Sequence, residues 1–285
     1  MATSKILTNE LLTLVVLAHP VKSNPDTCLM DRTLDSLKFL KLDPGTRVVL
    51  SHDYPHRKLD KFRKDNFQNY LQKITKRFSG SQDYLVTTTP RHSFLSGNIR
   101  HALNFVDTKY VLFVQHDLAF SGQVNIHALL SAMEDSSEIR HVRFNKRANN
   151  VKEGWDFYLQ ERRDFVQLKT WSTSFGNLEL LRTLAWSDQN HLASVDYYKS
   201  VVLPLCSRFK VYPEDMLNPF TSSELFGLFG NFVYGGSDSP AFIEDLDGSK
   251  GRWDEMSGFD SFRRRARMAV HYRLNKLKII KMVLR

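Results

Sequence analysis

The sequence predicts an α/β fold with a mostly parallel central sheet flanked by helices. Short apolar runs alternate with amphipathic segments through the first half of the chain, and this alternation is typical of strand–helix–strand units. The first run, Leu11 to Ala18, is almost continuously apolar, as expected of a strand covered on both faces. With 285 residues, 42% hydrophobic and 25% charged, the chain has the size and composition of one folded domain with a short C-terminal extension.

The predicted elements follow one another in a regular order after the Leu11–Ala18 strand and a turn over Pro20–Asp26. They are a helix over Met30–Leu40, a strand over Arg47–Leu50, a helix over Leu59–Arg77, a strand over Tyr84–Thr87, a helix over Gly97–Val106, a strand over Tyr110–Val114, a helix over Val124–Met133 and a strand over His141–Phe144. In the first helix, leucines recur at helical spacing, and Pro44-Gly45 ends the segment. After the strand that ends at Phe144, a polar stretch reaches Asp164. The second half of the chain shows a less regular pattern.

Composition limits the environment and the partners. Only two cysteines occur, Cys28 and Cys206, which favours a reducing compartment such as the cytoplasm. No apolar run approaches the ~20 residues that a membrane-spanning helix needs, so no transmembrane segment is expected. The net charge of +9 favours phosphate-bearing ligands.

Much of this charge lies in residues 259–285, where apolar and cationic residues alternate in a broadly helical pattern. We predict a basic amphipathic helix that packs on the rest of the protein. Weak contact with an anionic membrane is the alternative.

Acidic and polar residues follow the apolar runs. Tyr110 begins an apolar strand that stops at Asp117, and ligands of parallel α/β sheets bind outside the carboxyl ends of the strands. A rigidly held carboxylate there can bind a hard cation that bridges phosphates, although aspartate is also a common helix N-cap. His19, Pro20 and Asp53 follow the first two of the three earlier strands.

The segment from Ser96 to Asp117 resembles the GT-A nucleotide-sugar transferases, especially family-2-like enzymes. In that pattern a helix bearing Asn or Arg, a polar turn and an apolar strand precede an Asp-x-Asp motif; here Gln115 replaces the first Asp. The resemblance implies a Rossmann-like nucleotide-sugar domain, a UDP-sugar donor, and Mn²⁺ or Mg²⁺ bound at Asp117. The donor-binding residues that it implies are His19, Pro20, Asp53, Asn98, Arg100 and His116.

Three later motifs fit the same resemblance. Residues 186–192, Trp-Ser-Asp-Gln-Asn-His-Leu, resemble a signature of viral and algal transferases, which implies that Trp186, Asp188 and His191 line the sugar or acceptor pocket. A buried or capping role is the alternative for His191. Residues 211–216 resemble the motif that carries the catalytic carboxylate of inverting members. The resemblance implies Asp215 as general base, with Glu214 as its alternate. A surface turn is the alternative for this segment. Residues 243–252 resemble a late motif in which Asp245 completes the metal site or caps a turn.

The resemblance covers about residues 11–253 and implies a hexosyl- or pentosyltransferase that acts on a glycan or glycoprotein with inversion. The chain is similar to the capsid-glycan enzymes of large algal viruses, and this similarity implies a location in the host cytoplasm. The predicted catalytic domain is 1–258, with a donor half to about 120 and an acceptor half beyond it. Two alternatives are a basic nucleic-acid-binding protein, for which no typical motif is present, and another metal-dependent phosphate-handling α/β enzyme that uses His116 and Asp117.

Overall fold

Eleven strands form two sheets in the computed structural model, which describes residues 6–149, 165–206, 212–246 and 274–284. The strands are β1 (Leu12–Ala18), β2 (Val48–His52), β3 (Tyr84–Thr88), β4 (Tyr110–Gln115), β5 (Leu118–Phe120), β6 (His141–Arg143), β7 (Gln167–Thr173), β8 (Gly176–Arg182), β9 (His191–Ser194), β10 (Asn231–Tyr234) and β11 (Ile243–Asp245). The larger sheet has the order β3-β2-β1-β4-β9-β6-β10-β8-β7, and β5 pairs with β11 in the smaller one.

Helices connect and cover these strands. They are α1 (Thr8–Leu11), α2 (Cys28–Ser36), α3 (Lys61–Phe78), α4 (Phe94–Ala102), α5 (Ile126–Asp135), α6 (Val195–Tyr197), α7 (Leu203–Leu205), α8 (Pro213–Leu217), α9 (Phe226–Phe229) and α10 (residues 274–283). A π-helical turn, Tyr198–Val202, joins α6 to α7, and short 3₁₀ turns extend α2, α4 and α8.

The first half of the chain forms the parallel part of the large sheet. β1 pairs in parallel with β2 and β4, and β2 pairs in parallel with β3. β9 is antiparallel to both β4 and β6, and β10 continues in parallel beside β6. This mainly parallel sheet with helices on its faces confirms the predicted fold class.

The strand β1 shows why its sequence is continuously apolar. All seven of its residues are buried, because successive side chains of a strand point to opposite faces and both faces are covered. Leu14 and Val16 belong to one hydrophobic cluster, which includes Phe67 of α3. Val15 and Leu17 belong to the other, which includes Ile99 of α4. The sheet therefore has a core on each side.

Departures from the predicted elements lie mainly in the second half. The hairpin β7–β8 and the strands β9 and β10 were not predicted, because β7 and part of β8 are exposed and β9 and β10 are only four residues long. In the first half, α4 begins at Phe94 rather than at Gly97. Most of the predicted polar stretch, residues 150–164, lies outside the described residues.

The C-terminal helix α10 packs on the α7 segment through one side. Ile279 is buried, Asn275 Nδ2 donates to Leu205 O at 2.8 Å, and Lys278 Nζ donates to Pro204 O at 2.7 Å. The packing favoured by the sequence is therefore present for this part of the segment, whereas residues 259–273 lie outside the described residues. Nowhere in the described ranges is a helix both long and apolar enough to cross a membrane.

Candidate functional site

A cleft opens at the carboxyl ends of the parallel strands. Its volume is about 550 Å³, and its lining comprises Leu17, Ala18, His19, Asp53, His92, Phe94, Leu95, Asn98, Gln115, Asp117, Leu118, Lys146, Asp188, Gln189, Tyr212, Glu214 and Asp245. Two backbone hydrogen bonds continue the sheet past the strand ends: Asp53 N donates to Ala18 O at 2.8 Å, and His116 N donates to Leu17 O at 3.0 Å. The loops after β1, β2 and β4 therefore start from a common rigid edge.

Asp53 lies in the cleft wall, and its carboxylate is occupied by donors from the protein. Its oxygens accept hydrogen bonds from Thr89 Oγ1 at 3.0 Å, from Ser93 N at 2.7 Å and from Phe94 N at 3.0 Å, and His92 Nδ1 lies 2.9 Å from Oδ2. Ser93 Oγ donates as well, at 2.8 Å. A carboxylate offers about four lone-pair sites, so these contacts account for all of them. Asp53 thus fixes the first turn of α4, where Phe94 has a positive φ of 60°, uncommon for a residue other than glycine.

The helix α4 carries two predicted donor-binding residues, and only one reaches the cleft. Asn98 lines it and ties α4 to the strand ends, because its Nδ2 donates to Ser51 O at 3.0 Å and Ser51 Oγ donates to its Oδ1 at 2.7 Å. Arg100 instead donates to Leu203 O at 3.2 Å and lines a separate cavity with Lys199. Residues two apart on a helix do not face the same way, so Arg100 is directed away from the cleft.

The loops after β1 and β4 bring one histidine to the surface of the cleft. His19 lines it and makes an edge-to-face ring contact with His116 at 4.8 Å between centroids. His116 is only 2% exposed and lies behind His19 rather than in the lining. Pro20 is partly buried and does not line the cleft either.

Asp117 and Asp245 reach the cleft from two adjoining segments. The pairing of β5 with β11 sets Leu118 opposite Asp245, and Leu246 N donates to Asp117 O at 2.9 Å. Within the described ranges, no group of three or more His, Cys, Asp or Glu side chains is arranged to hold a metal ion. Two carboxylates fit a hard divalent cation when phosphate oxygens and waters supply the other ligands, which is how Mg²⁺ is commonly bound. The residues therefore fit a metal that binds together with a phosphate-bearing ligand.

Lys146 is a cleft residue that the sequence analysis missed. Its Nζ lies 3.4 Å from Asp245 Oδ2, and it is the only lysine or arginine among the described residues of the lining. Lys146 follows β6 by three residues. The search for residues just after strands stopped at Asp117, and the same search after the predicted strand His141–Phe144 would have found it. Phe94 and Tyr212 were also missed; their rings meet edge-to-face at 6.0 Å, and both line the cleft.

A second pair of carboxyl groups, Asp188 and Glu214, lies in the same cleft. Both oxygens of Asp188 are 3.3 Å from Glu214 N, while Glu214 Oε2 accepts from Asp188 N at 3.2 Å and from Ser187 Oγ at 3.1 Å. Pro213 begins α8, so the N–H of Glu214 is one of the free donors of a helix start. The helix start therefore binds Asp188, and the two residues hold each other in place.

This arrangement changes the acidity of Asp188. Desolvation by the surrounding protein, followed by the negative charges of Glu214 and Asp215, raises the pKa of Asp188 well above its usual value. Asp215 is not part of the cleft lining. The pair in the cleft is therefore Asp188 with Glu214, which was the alternate in the sequence analysis.

The raised pKa of Asp188 predicts a stability difference that depends on pH. The folded protein retains a proton that the unfolded chain releases above its usual pKa of 3.8, so the stability due to the neutral acid is lost as the pH rises through the raised pKa. Asparagine does not titrate. We expect Asp188→Asn to become more stable relative to wild type as the pH rises above 3.8, with a constant difference once the raised pKa is passed.

Melting temperatures of both proteins from about pH 4 to about pH 8 measure this difference. Asp83→Asn, at an exposed position, is the matched control. A gap between Asp188→Asn and wild type that does not change with pH would contradict the raised pKa.

Two other residues of the 186–192 motif are buried behind the cleft. Trp186 is fully buried, and its Nε1 donates to Tyr197 OH at 3.1 Å. His191 is 1% exposed and hydrogen bonds to Tyr198 OH, and burial lowers its pKa to about 4. His191 therefore has the buried role that the sequence analysis held as its alternative, and neither residue reaches a bound sugar in this arrangement.

Known proteins that resemble this chain were found by structure and not by sequence. No family model matches the chain, and no curated protein matches it. S. aureus TarS 1–349 in complex with UDP-GlcNAc matches over 92% of this chain and 66% of its own, with 12% identity and a TM-score of 0.53. The mannosyltransferase PcManGT from Pyrobaculum calidifontis, in complex with GDP-Man and Mn²⁺, matches over 95% of this chain and 66% of its own, with 11% identity and a TM-score of 0.50. The chain has a GT-A-like fold.

The GT-A-like chain is shorter than these proteins. It spans just under two thirds of the length of both, and 60% of the length of another TarS 1–349 structure, which has 13% identity and a TM-score of 0.48. At such identities the similarity establishes the fold alone. The resemblance to algal-virus enzymes and the cytoplasmic location stay predictions.

Proposed function

We propose that this chain is a glycosyltransferase that moves a sugar from a UDP-linked donor to a hydroxyl group of a glycan or glycoprotein, with a divalent cation. The observation that carries the proposal is the lining of the cleft. Asp117 and Asp245 on adjoining segments lie in one cavity with the Asp188–Glu214 pair, at the ligand-binding edge of a GT-A-like sheet. One pair suits a cation and phosphates, and the other suits proton transfer.

The charge of the cleft supports the use of a metal. Asp53, Asp117, Glu214 and Asp245 line it, besides Asp188 with its raised pKa, against Lys146 as the sole described lysine or arginine of the lining. A diphosphate entering this cavity would be repelled unless further positive charge accompanied it. A divalent cation supplies that charge when bound and stabilises the departing phosphates.

The chain's own residues divide the remaining work. His19 and the loop that Asp53 and Asn98 hold rigid form the end of the cleft that we assign to the nucleoside. Lys146, beside Asp245, contacts the phosphates once the donor has entered. The hydroxyl group of the acceptor must lose a proton as it attacks the sugar. We assign Glu214 as the general base that accepts this proton, with Asp188 as its hydrogen-bonded neighbour.

The donor class is supported by what the two structural neighbours bind. One is in complex with UDP-GlcNAc and the other with GDP-Man and Mn²⁺. Both ligands are nucleoside diphosphate sugars, and the proposed division of the cleft accommodates this class. The choice of uridine follows the sequence resemblance.

A thermal-shift screen of UDP-, GDP- and dTDP-sugars, each with and without Mn²⁺, tests the proposal. A ligand at 100 times its Kd stabilises a protein by about 2.7 kcal/mol, so we expect a clear rise in melting temperature with a UDP-sugar and Mn²⁺ together. Asp245→Asn should remove the part that depends on Mn²⁺, and Asp83→Asn should not. Equal shifts with all three nucleobases would contradict the choice of uridine, and no shift with any donor would contradict the function.

The two alternatives from the sequence fit the cleft less well. A nucleic-acid backbone would meet the same excess of carboxylates as a bare diphosphate. A two-metal hydrolase built on His116 and Asp117 needs clustered ligands. His116 is buried outside the lining, and no such cluster occurs in the residues that the structure describes.

A further inference from the structure

The net positive charge of this protein comes from one short segment. Nine of the 40 lysines and arginines fall in residues 261–285, which contain no aspartate or glutamate. Residues 1–260 therefore contain 31 lysines and arginines and all 31 aspartates and glutamates. The whole net charge of +9 belongs to the last 25 residues, and the rest of the chain is neutral.

Exposed apolar surface is concentrated in the same segment. Of the nine large hydrophobic residues that are exposed in the described ranges, five are on or directly after α10. They are Leu274 (51% exposed), Leu277 (61%), Ile280 (47%), Val283 (57%) and Leu284 (80%). An exposed apolar patch of this kind marks an interaction surface more often than scattered single residues do.

These side chains share one half of the helix circumference with the exposed Lys276 and Lys281, at the 100° per residue of an α-helix. The other half, which carries Asn275, Lys278 and Ile279, makes the contacts with the α7 segment. The helix is therefore already anchored to the protein on one side. Its other side presents leucines and lysines together.

We propose that the exposed half of α10 docks this protein on the surface of an anionic lipid bilayer. A helix with apolar and cationic side chains on one face lies in the headgroup region, where leucine buries in the acyl boundary and lysine meets anionic headgroups. A nucleic acid would attract the lysines, but its phosphate backbone offers nothing to the leucine row. The combination on one face therefore selects a lipid surface.

Sedimentation of the full chain with vesicles tests the proposal. We expect binding to vesicles of phosphatidylcholine mixed with phosphatidylglycerol, little binding to phosphatidylcholine alone, and weakening with salt. Leu277→Gln combined with Leu284→Gln should weaken binding by roughly tenfold for each leucine. Lys276→Gln combined with Lys281→Gln should weaken it by roughly fivefold for each lysine.

Matched controls come from α3, where Phe62 is 73% exposed and Lys61 is exposed. Phe62→Gln and Lys61→Gln should bind the vesicles as wild type does. Melting temperatures establish that each variant is folded, and the lipid and salt dependence of the wild type remain decisive even if one is not.

Absence of binding to the anionic vesicles would overturn the proposal, as would binding that the leucine variant leaves unchanged. Random duplex DNA that binds as tightly as the anionic vesicles, with no loss in the leucine variant, would also overturn it in favour of a nucleic-acid partner.

Discussion

Replacing Glu214 by glutamine is expected to lower the rate of sugar transfer by about 10² to 10⁴, the usual contribution of a general base. Glutamine has nearly the same volume and keeps an oxygen that can accept from Ser187 Oγ and Asp188 N, the two donors to Glu214. Donor binding should therefore change little. The measurement is kcat for transfer together with the KM for the donor, and the loss should appear in kcat.

Two variants accompany this experiment. Glu224→Gln removes an exposed carboxylate ten residues further on and should leave kcat unchanged. Asp215→Asn should cost less than Glu214→Gln, because Asp215 does not line the cleft. If Asp215→Asn is the crippled enzyme and Glu214→Gln is not, the base is the residue that the sequence motif indicated, and the assignment from the cleft is wrong.

Replacing Asp117 by asparagine is expected to reduce metal-dependent turnover by about 10³ or more, because a bound divalent ion contributes several kcal/mol at the reacting phosphates. The substitution removes the charge of one proposed ligand without changing the side-chain volume. A second measurement does not depend on activity: the rise in melting temperature that Mn²⁺ adds in the presence of UDP should disappear.

Asp83→Asn serves as the control for loss of one negative charge and should retain both effects. The melting temperature of Asp117→Asn without ligands establishes that the variant is folded, and the backbone bond from Leu246 N to Asp117 O is available to the asparagine as well. Near wild-type turnover and an unchanged response to Mn²⁺ would remove Asp117 from the metal site.

Local pattern predicted the parallel half of the fold well. The strands β1 to β4 and the long helix α3 were each predicted to within about two residues at either end. This is because the periodicity of hydrophobic residues indicates which faces of an element are buried. The same half supplied Asp53 and Asp117 as strand-end residues. Their presence in one cleft follows from parallel pairing, which places the carboxyl ends of the strands at one edge.

Prediction failed where a side chain's direction depends on packing with distant residues. Arg100 and Asn98 stand two positions apart on one helix, so helix geometry alone excludes that both face the cleft. The packing of α4 on the strand ends decides that Asn98 is the one that does. Trp186 and His191 lie in a polar motif that suggests a binding loop, but they fill the core between β9 and the α6 segment. Lys146 reaches the cleft because β10 and β9 pack on either side of the short strand β6.

The sequence by itself determined an α/β sheet, the apolar strand that ends shortly before Asp117, and the basic amphipathic character of the C-terminal segment, since each is a periodicity or composition within one stretch of chain. Only the tertiary structure decided that Glu214 rather than Asp215 faces the cleft and that Asp188 has a raised pKa. It also decided that α10 packs with one half and exposes the other. These properties depend on residues far apart in the sequence, because burial and the electric field at a side chain are set by the elements that fold against it.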